Sequence, residues 1–220
     1  MARKGKRLLG AGVLLIALFV VWTVLIQTVD VRPAGETKTE IGFAAINCWV
    51  HELTGVHMTI YHLTDWLGLV PVFVCLLFGA VGAVQLITRK SLFKVDLDIV
   101  FLGVYYVIVI MGYLLFEMFP INYRPILIEG IREASYPSST TLLVLGVMPT
   151  LVFQSDRRLG NVKVKKIIAV LTGLFSLFMV LGRLIAGVHW FTDIIGSLLL
   201  SMGLFWMYKA SVVLCCKGEK

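Results

Sequence analysis

The sequence predicts an all-α membrane protein: a six-transmembrane-helix bundle with a short interfacial amphipathic helix between spans one and two. Three observations carry this expectation. Of the 220 residues 59% are hydrophobic and only 15% charged, and the mean hydropathy is +0.91, more apolar than soluble domains carry. Six apolar runs are long enough to cross a bilayer as helices. The cationic residues sort to one side of those runs, as the positive-inside rule requires.

The six runs lie at about 8–29, 66–88, 97–119, 138–154, 167–186 and 192–209. The first has a basic start and an apolar stretch longer than a signal-peptide core, with no clean small-x-small site after it, so it reads as an uncleaved anchor. Between runs one and two, Ile41–Asp65 mixes His51, Glu52, His57, His62 and Asp65 with Phe43, Trp49, Leu53 and Ile60. That mixture suits an amphipathic helix in the outer interface.

With all six runs spanning, one side collects Arg3, Lys4, Lys6 and Arg7, then Arg89, Lys90 and Lys94, then the 154–166 loop with Arg157, Arg158, Lys163, Lys165 and Lys166, and finally Lys209, Lys217 and Lys220. These are 15 of the 20 Lys and Arg residues. Both termini are therefore expected in the cytoplasm of a multi-pass cell-membrane protein. The formal charge of +7 follows from this topology and gives no reason to expect nucleic acid. No repeat, low-complexity tract or long linker divides the chain, so 1–220 reads as one polytopic domain. The four cysteines, Cys48, Cys75, Cys215 and Cys216, have neither disulfide-framework nor zinc-site spacing. Cys215 and Cys216 stand where acylation sites are found, though apolar filling at a span end explains them as well.

Three polar clusters interrupt the outer ends of spans three to six, where ionisable residues mark functional candidates. The first is Glu117 to Pro125, containing Arg124-Pro125; the second is Tyr136-Pro137-Ser138-Ser139-Thr140-Thr141; the third is Gly182-Arg183, five residues, His189, three residues, Asp193. Alternating span directions bring all three to one face. His189 and Asp193 are four apart, so on a helix the carboxylate can hold one imidazole nitrogen and leave the other for attack. Arg183 and Arg124 offer planar donor forks for phosphate oxygens. The start of span four offers free amides to the same ligand. Together these residues compose a plausible phosphoryl-transfer site with His189 as nucleophile. Bland readings compete: a structural intramembrane triad, an interfacial arginine, a serine-capped helix start. His51, His57 and His62 read as interfacial side chains, with His57 or His62 available as an acid if the segment folds over the site.

Over about residues 60–210 the clusters and the six-span layout resemble the type 2 phosphatidic acid phosphatase superfamily. Its motifs are Lys, six residues, Arg-Pro; Pro-Ser-Gly-His; and Ser-Arg, five residues, His, three residues, Asp. Arg124-Pro125, Pro137-Ser138, Arg183, His189 and Asp193 match. The resemblance implies a metal- and cofactor-free lipid phosphatase acting at the outer leaflet on lipid phosphates or polyprenyl diphosphates, among them undecaprenyl diphosphate. His189 would be nucleophile, Asp193 its orienting partner, and Arg124, Ser138, Ser139, Thr140 and Arg183 the phosphate ligands. The chain departs from the pattern at Glu117 for lysine, Ser139 for glycine, Thr140 for histidine and Gly182 for serine. Thr140 has no proton to give near neutral pH, so Glu117 becomes a candidate acid. The departures also leave room for a degenerate member that binds a phosphorylated headgroup without turnover.

Overall fold

In the computed structural model, which describes residues 2–216, eight α-helices and one small hairpin follow each other as α1 (Ala2–Thr28), β1 (Arg32–Ala34), β2 (Thr39–Ile41), α2 (Ala44–Thr54), α3 (Met58–Leu67), α4 (Leu69–Arg89), α5 (Leu97–Met118), α6 (Ser139–Arg158), α7 (Val162–Ile185) and α8 (Phe191–Cys215). A 3-10 turn, Leu92–Lys94, links α4 to α5. Lys217 and Lys220 lie outside the described residues.

Five helical stretches among the described residues are long and apolar enough to cross a membrane: α1, the run Met58–Arg89, α5, α7 and α8. Their outward faces are apolar, as lipid requires; Leu76, Ile87, Val107, Leu174 and Phe178 are all exposed. The fourth expected span, α6, has the length but not the apolarity. Its first residues are Ser139, Thr140 and Thr141, its last are Gln154, Ser155, Asp156, Arg157 and Arg158, and Pro149 lies inside it. It packs against α4, α5, α7 and α8, and Val144, Val147, Thr150 and Gln154 are wholly buried. A helix surrounded by protein has no lipid face to keep apolar.

α1 lies along α8, and glycines allow the close approach. A side chain at Gly203 would meet Ile16, and one at Gly12 would meet Met207 and the Gly203 carbonyl. Small residues let helix backbones approach and gain packing energy where no hydrophobic force acts between them. At one end of the bundle Asp96 and Asp98 bind Arg89, Arg157 and Arg158, tying the α4–α5 connection to the end of α6.

The fold is all-α as expected, with one small hairpin added: β1 and β2 pair antiparallel in the register Arg32↔Ile41, Pro33↔Glu40, Ala34↔Thr39. Their loop is fixed from outside, because Glu36 N–H donates to the Pro125 carbonyl at 2.7 Å and Leu127 N–H to the Glu36 carboxylate at 2.9 Å. One expectation needs correction: the segment before span two is not one helix. It breaks at Gly55, which has φ +67°, into α2 and α3. Gly68 keeps helical dihedrals, so α3 stacks on α4 in a run of 32 residues. α3 packs on α7 and thereby covers the polar clusters.

Candidate active site

The irregular segment between α5 and α6 folds back on itself. Ser135 N–H donates to the Asn122 carbonyl at 2.9 Å and Arg124 N–H to the Glu133 carbonyl at 3.1 Å. This narrow loop carries Arg124 and Ser135 to the ends of α7 and α8. The turn between those two helices is held by Gly187, at φ +70°, where any Cβ would strike the Gly55 carbonyl; His57 N–H also donates to the Ala186 carbonyl at 3.1 Å. His189 leaves this turn into the interior.

His189 is 3% exposed. Its Nδ1 lies 3.1 Å from the Ser135 carbonyl oxygen, which can only accept, so Nδ1 carries the proton. Nε2 is then the lone-pair nitrogen, and Arg183 Nη2 donates to it at 3.3 Å. The expected direct bond to Asp193 is absent: the carboxylate is 3.8 Å from Nδ1. Asp193 sits in the first turn of α8 and turns to that helix's own start, accepting the Trp190 N–H at 2.8 Å, as carboxylates at this position do. Its remaining bonds are from Ser135 Oγ at 2.6 Å and Asn122 Nδ2 at 3.4 Å. Asp193 therefore holds His189 through Ser135, one residue removed. Burial first, then the two neighbouring guanidinium groups, push the imidazole pKa well below its ordinary value, so the ring is neutral.

Both arginines are buried, Arg183 at 1% and Arg124 at 8% exposure. Their guanidinium carbons lie 5.0 and 5.7 Å from the ring centre of Tyr61 on α3. Arg183 Nη1 approaches Thr64 Oγ1 at 3.5 Å and Asp65 Oδ1 at 3.8 Å, and Arg124 Nη2 pairs with Glu133 at 3.1 Å. Three buried guanidinium nitrogens, Nε and Nη1 of Arg124 and Nε of Arg183, have no hydrogen-bond partner. Buried donors are nearly always satisfied, so unsatisfied ones beside a histidine with a free lone pair invite an anion. The donors are all nitrogen cations, and no cluster of potential metal ligands occurs among the described residues.

None of the other predicted residues hydrogen-bonds to Arg124, Arg183 or His189. Ser138 is fully buried, and its hydroxyl donates to Thr141 Oγ1 at 3.0 Å. Ser139 and Thr140 line an apolar cavity of about 430 Å3 between α4, α5 and α6, with Asp65, Val72, Val109 and Tyr113. Glu117 is exposed and borders a separate crevice of about 10 Å3 with Ser135 and Pro137, room for about one water. It pairs with neither Arg124 nor Arg132: Glu133 takes the first, and Arg132 stacks on Tyr123 at 4.5 Å. His51 contacts the Trp190 ring, His57 bonds to the Thr54 carbonyl and His62 stands against Tyr61. Sequence reasoning missed Ser135, Tyr61, Thr64 and Asp65, and the only signal for the last three was a mixed segment able to fold over the site.

A sequence profile of the PAP2 superfamily matches residues 115–214. That segment is similar to the PAP2 superfamily. It contains all three polar clusters, so the PAP2 resemblance of the motifs holds for the stretch that carries them. A search of curated protein sequences finds no match. Among solved structures, the first transmembrane PAP2-type phosphatidylglycerolphosphate phosphatase from Bacillus subtilis superposes with a TM-score of 0.65, covering 94% of this chain and 98% of its own at 16% identity. The PAP2-type fold thus extends over nearly the whole chain, α1 included.

Proposed function

We propose that this chain is an integral-membrane phosphatase that cleaves lipid phosphates or polyprenyl diphosphates through a phosphohistidine on His189. The observation that carries the reading is the pair of buried arginines with unsatisfied nitrogens around a neutral imidazole whose lone pair faces one of them. A phosphoryl group bound there would take its donors from Arg124 and Arg183. Nε2 would attack phosphorus as the bond to the leaving oxygen breaks, and the Ser135 carbonyl would stabilise the Nδ1–H that becomes acidic. The apolar cavity below Asp65 and Thr140 suits a hydrocarbon chain running into the bilayer.

In this reading α6 is the fourth of six spans, 1–220 is one polytopic domain, both termini lie in the cytoplasm and the site opens to the outer leaflet. Supporting this, the cation-rich ends of α4, α6 and α7 lie at one end of the bundle and Arg124 and Arg183 at the other. Thr140 provides no acid, which favours diphosphates: a departing phosphate monoester needs far less protonation than an alkoxide. The same gap sustains a second reading, a headgroup binder without turnover. Phosphate release by purified protein from undecaprenyl diphosphate, phosphatidylglycerol phosphate and phosphatidic acid, with His189→Ala as control, decides between them. Release abolished by His189→Ala is expected; binding without release would select the second reading, and release unaffected by His189→Ala would sink the first.

A further inference from the structure

The proposed reaction leaves one step without a group to perform it. Once the phosphoryl group is on His189, water must attack phosphorus and surrender a proton, and the family's second-motif histidine is replaced here by Thr140. Glu117 borders a different crevice. Asp193 is fully buried with both oxygens occupied. Glu133 is held on Arg124 at 3.1 Å. Asp65 differs from all three. Its side chain is 58% exposed, its contact with Arg183 is a loose 3.8 Å, and it lines the same cavity as Thr140, beside the place the missing group would occupy.

We propose that Asp65, from outside the three motifs, is the general base that activates water to hydrolyse the phosphohistidine. The inference rests on the phosphatase reading above. Arg183 sets the geometry: Nη2 faces His189 Nε2 at 3.3 Å, while Nη1 of the same planar group faces Asp65. A phosphoryl group on Nε2, lying along the guanidinium, has the nitrogen at one end and the carboxylate toward the other. In-line displacement needs the incoming oxygen opposite the departing nitrogen. In the step, the Asp65 carboxylate takes a proton from water, the water oxygen bonds to phosphorus, and the P–Nε2 bond breaks with its electron pair returning to the imidazole. Inorganic phosphate leaves, and Asp65 returns its proton to solvent. α3 holds the base in place: Thr64, the preceding residue, contacts Arg183 and packs against Gly182, where a Cβ would lie 2.8 Å from Thr64 Cγ2.

The test uses the full-length protein in nanodiscs and a polyprenyl diphosphate labelled in its terminal phosphate. In Asp65→Asn, one equivalent of acid-labile, base-stable label should form on the protein as fast as in wild type and then persist, while steady-state turnover falls roughly 100-fold or more. Asp65→Glu should restore part of the turnover, and Glu133→Gln should not trap label. Wild-type turnover in Asp65→Asn, lost turnover without trapped label, or trapping by Glu133→Gln instead would each overturn the assignment while leaving a phosphohistidine enzyme standing. Turnover by wild type with no label captured in any variant would overturn the covalent reading itself, and this proposal with it.

Discussion

The lone-pair nitrogen of His189 lies 3.3 Å from Nη2 of Arg183, so the candidate nucleophile and the candidate phosphate ligand are hydrogen-bonded to each other. An incoming phosphoryl group must part them, and both ends of the broken bond then point at it.

Arg183→Lys should keep the fold and lose the function. A lysine ammonium cannot present separate nitrogens to His189, Thr64 and Asp65. Removing one preorganised donor typically costs 100- to 1000-fold, and a loss of about that size in kcat/KM, with unchanged helicity by circular dichroism, is expected. A loss below about tenfold would show that Arg183 is not a ligand of the transferring group.

His189 should stay neutral at pH 6.5, where an ordinary imidazole is half protonated. Burial and the two arginines lower its pKa in the folded state, so the unfolded chain binds the proton first. Stability from this residue is therefore complete above about pH 6.5 and is lost as pH falls below it. Nitrogen-15 NMR of histidine-labelled protein should find the proton on Nδ1 at pH 6.5; a doubly protonated His189 would contradict the geometry.

Glu117→Gln should change cleavage of monoesters and diphosphates by no more than about threefold, since the carboxylate is exposed and bonds to neither His189 nor the arginines; a group outside hydrogen-bond reach of the reacting atoms supplies little acid–base catalysis. Selective loss of monoester cleavage would restore Glu117 as the acid. In either protein a polyprenyl diphosphate should be turned over faster than phosphatidic acid.

Ser135→Ala should destabilise the protein by about 1–3 kcal/mol, the penalty for leaving a buried acceptor short of a donor. Ser135 Oγ makes a 2.6 Å bond to Asp193, and no other side chain approaches that oxygen within hydrogen-bond distance. Thermal unfolding in detergent measures the effect.

Gly182→Ser, which restores the family's residue, should lower activity by about tenfold because the new Cβ meets Thr64 Cγ2 at 2.8 Å and displaces α3; small-to-large changes in packed interfaces cost about 1–3 kcal/mol. Adding Thr64→Ala should recover most of the loss. No recovery would mean that the α3–α7 contact does not position the site.

The convergence of Arg124, Arg183, His189 and Asp193 was legible in the sequence because their chemistry is rare in an apolar chain and alternating spans bring their segments to one face. The α5, α7 and α8 boundaries were legible within a few residues at most ends, since apolar runs and charged ends mark them directly. α6 was harder to place by apolarity because its polar residues face other helices. The Asp193 bond was misjudged because helix spacing brings residues i and i+4 together but says nothing of a carboxylate's competing role at its own helix start. Ser135 and Asp65 left no local pattern: what matters about them is a loop folding back and a helix folding over, both long-range outcomes of packing.

The glycine-lined contact of α1 with α8 shows that the stretch shared with the family is smaller than the unit that folds. Residues 115–214 would present the bare flank of α8, with Gly203 open where Ile16 normally seats. They would also lack Trp22, whose indole N–H caps the Thr192 carbonyl at 3.1 Å, and all of α3. The similarity to the family is concentrated in one half of this chain, but the integrity of the molecule is spread over both.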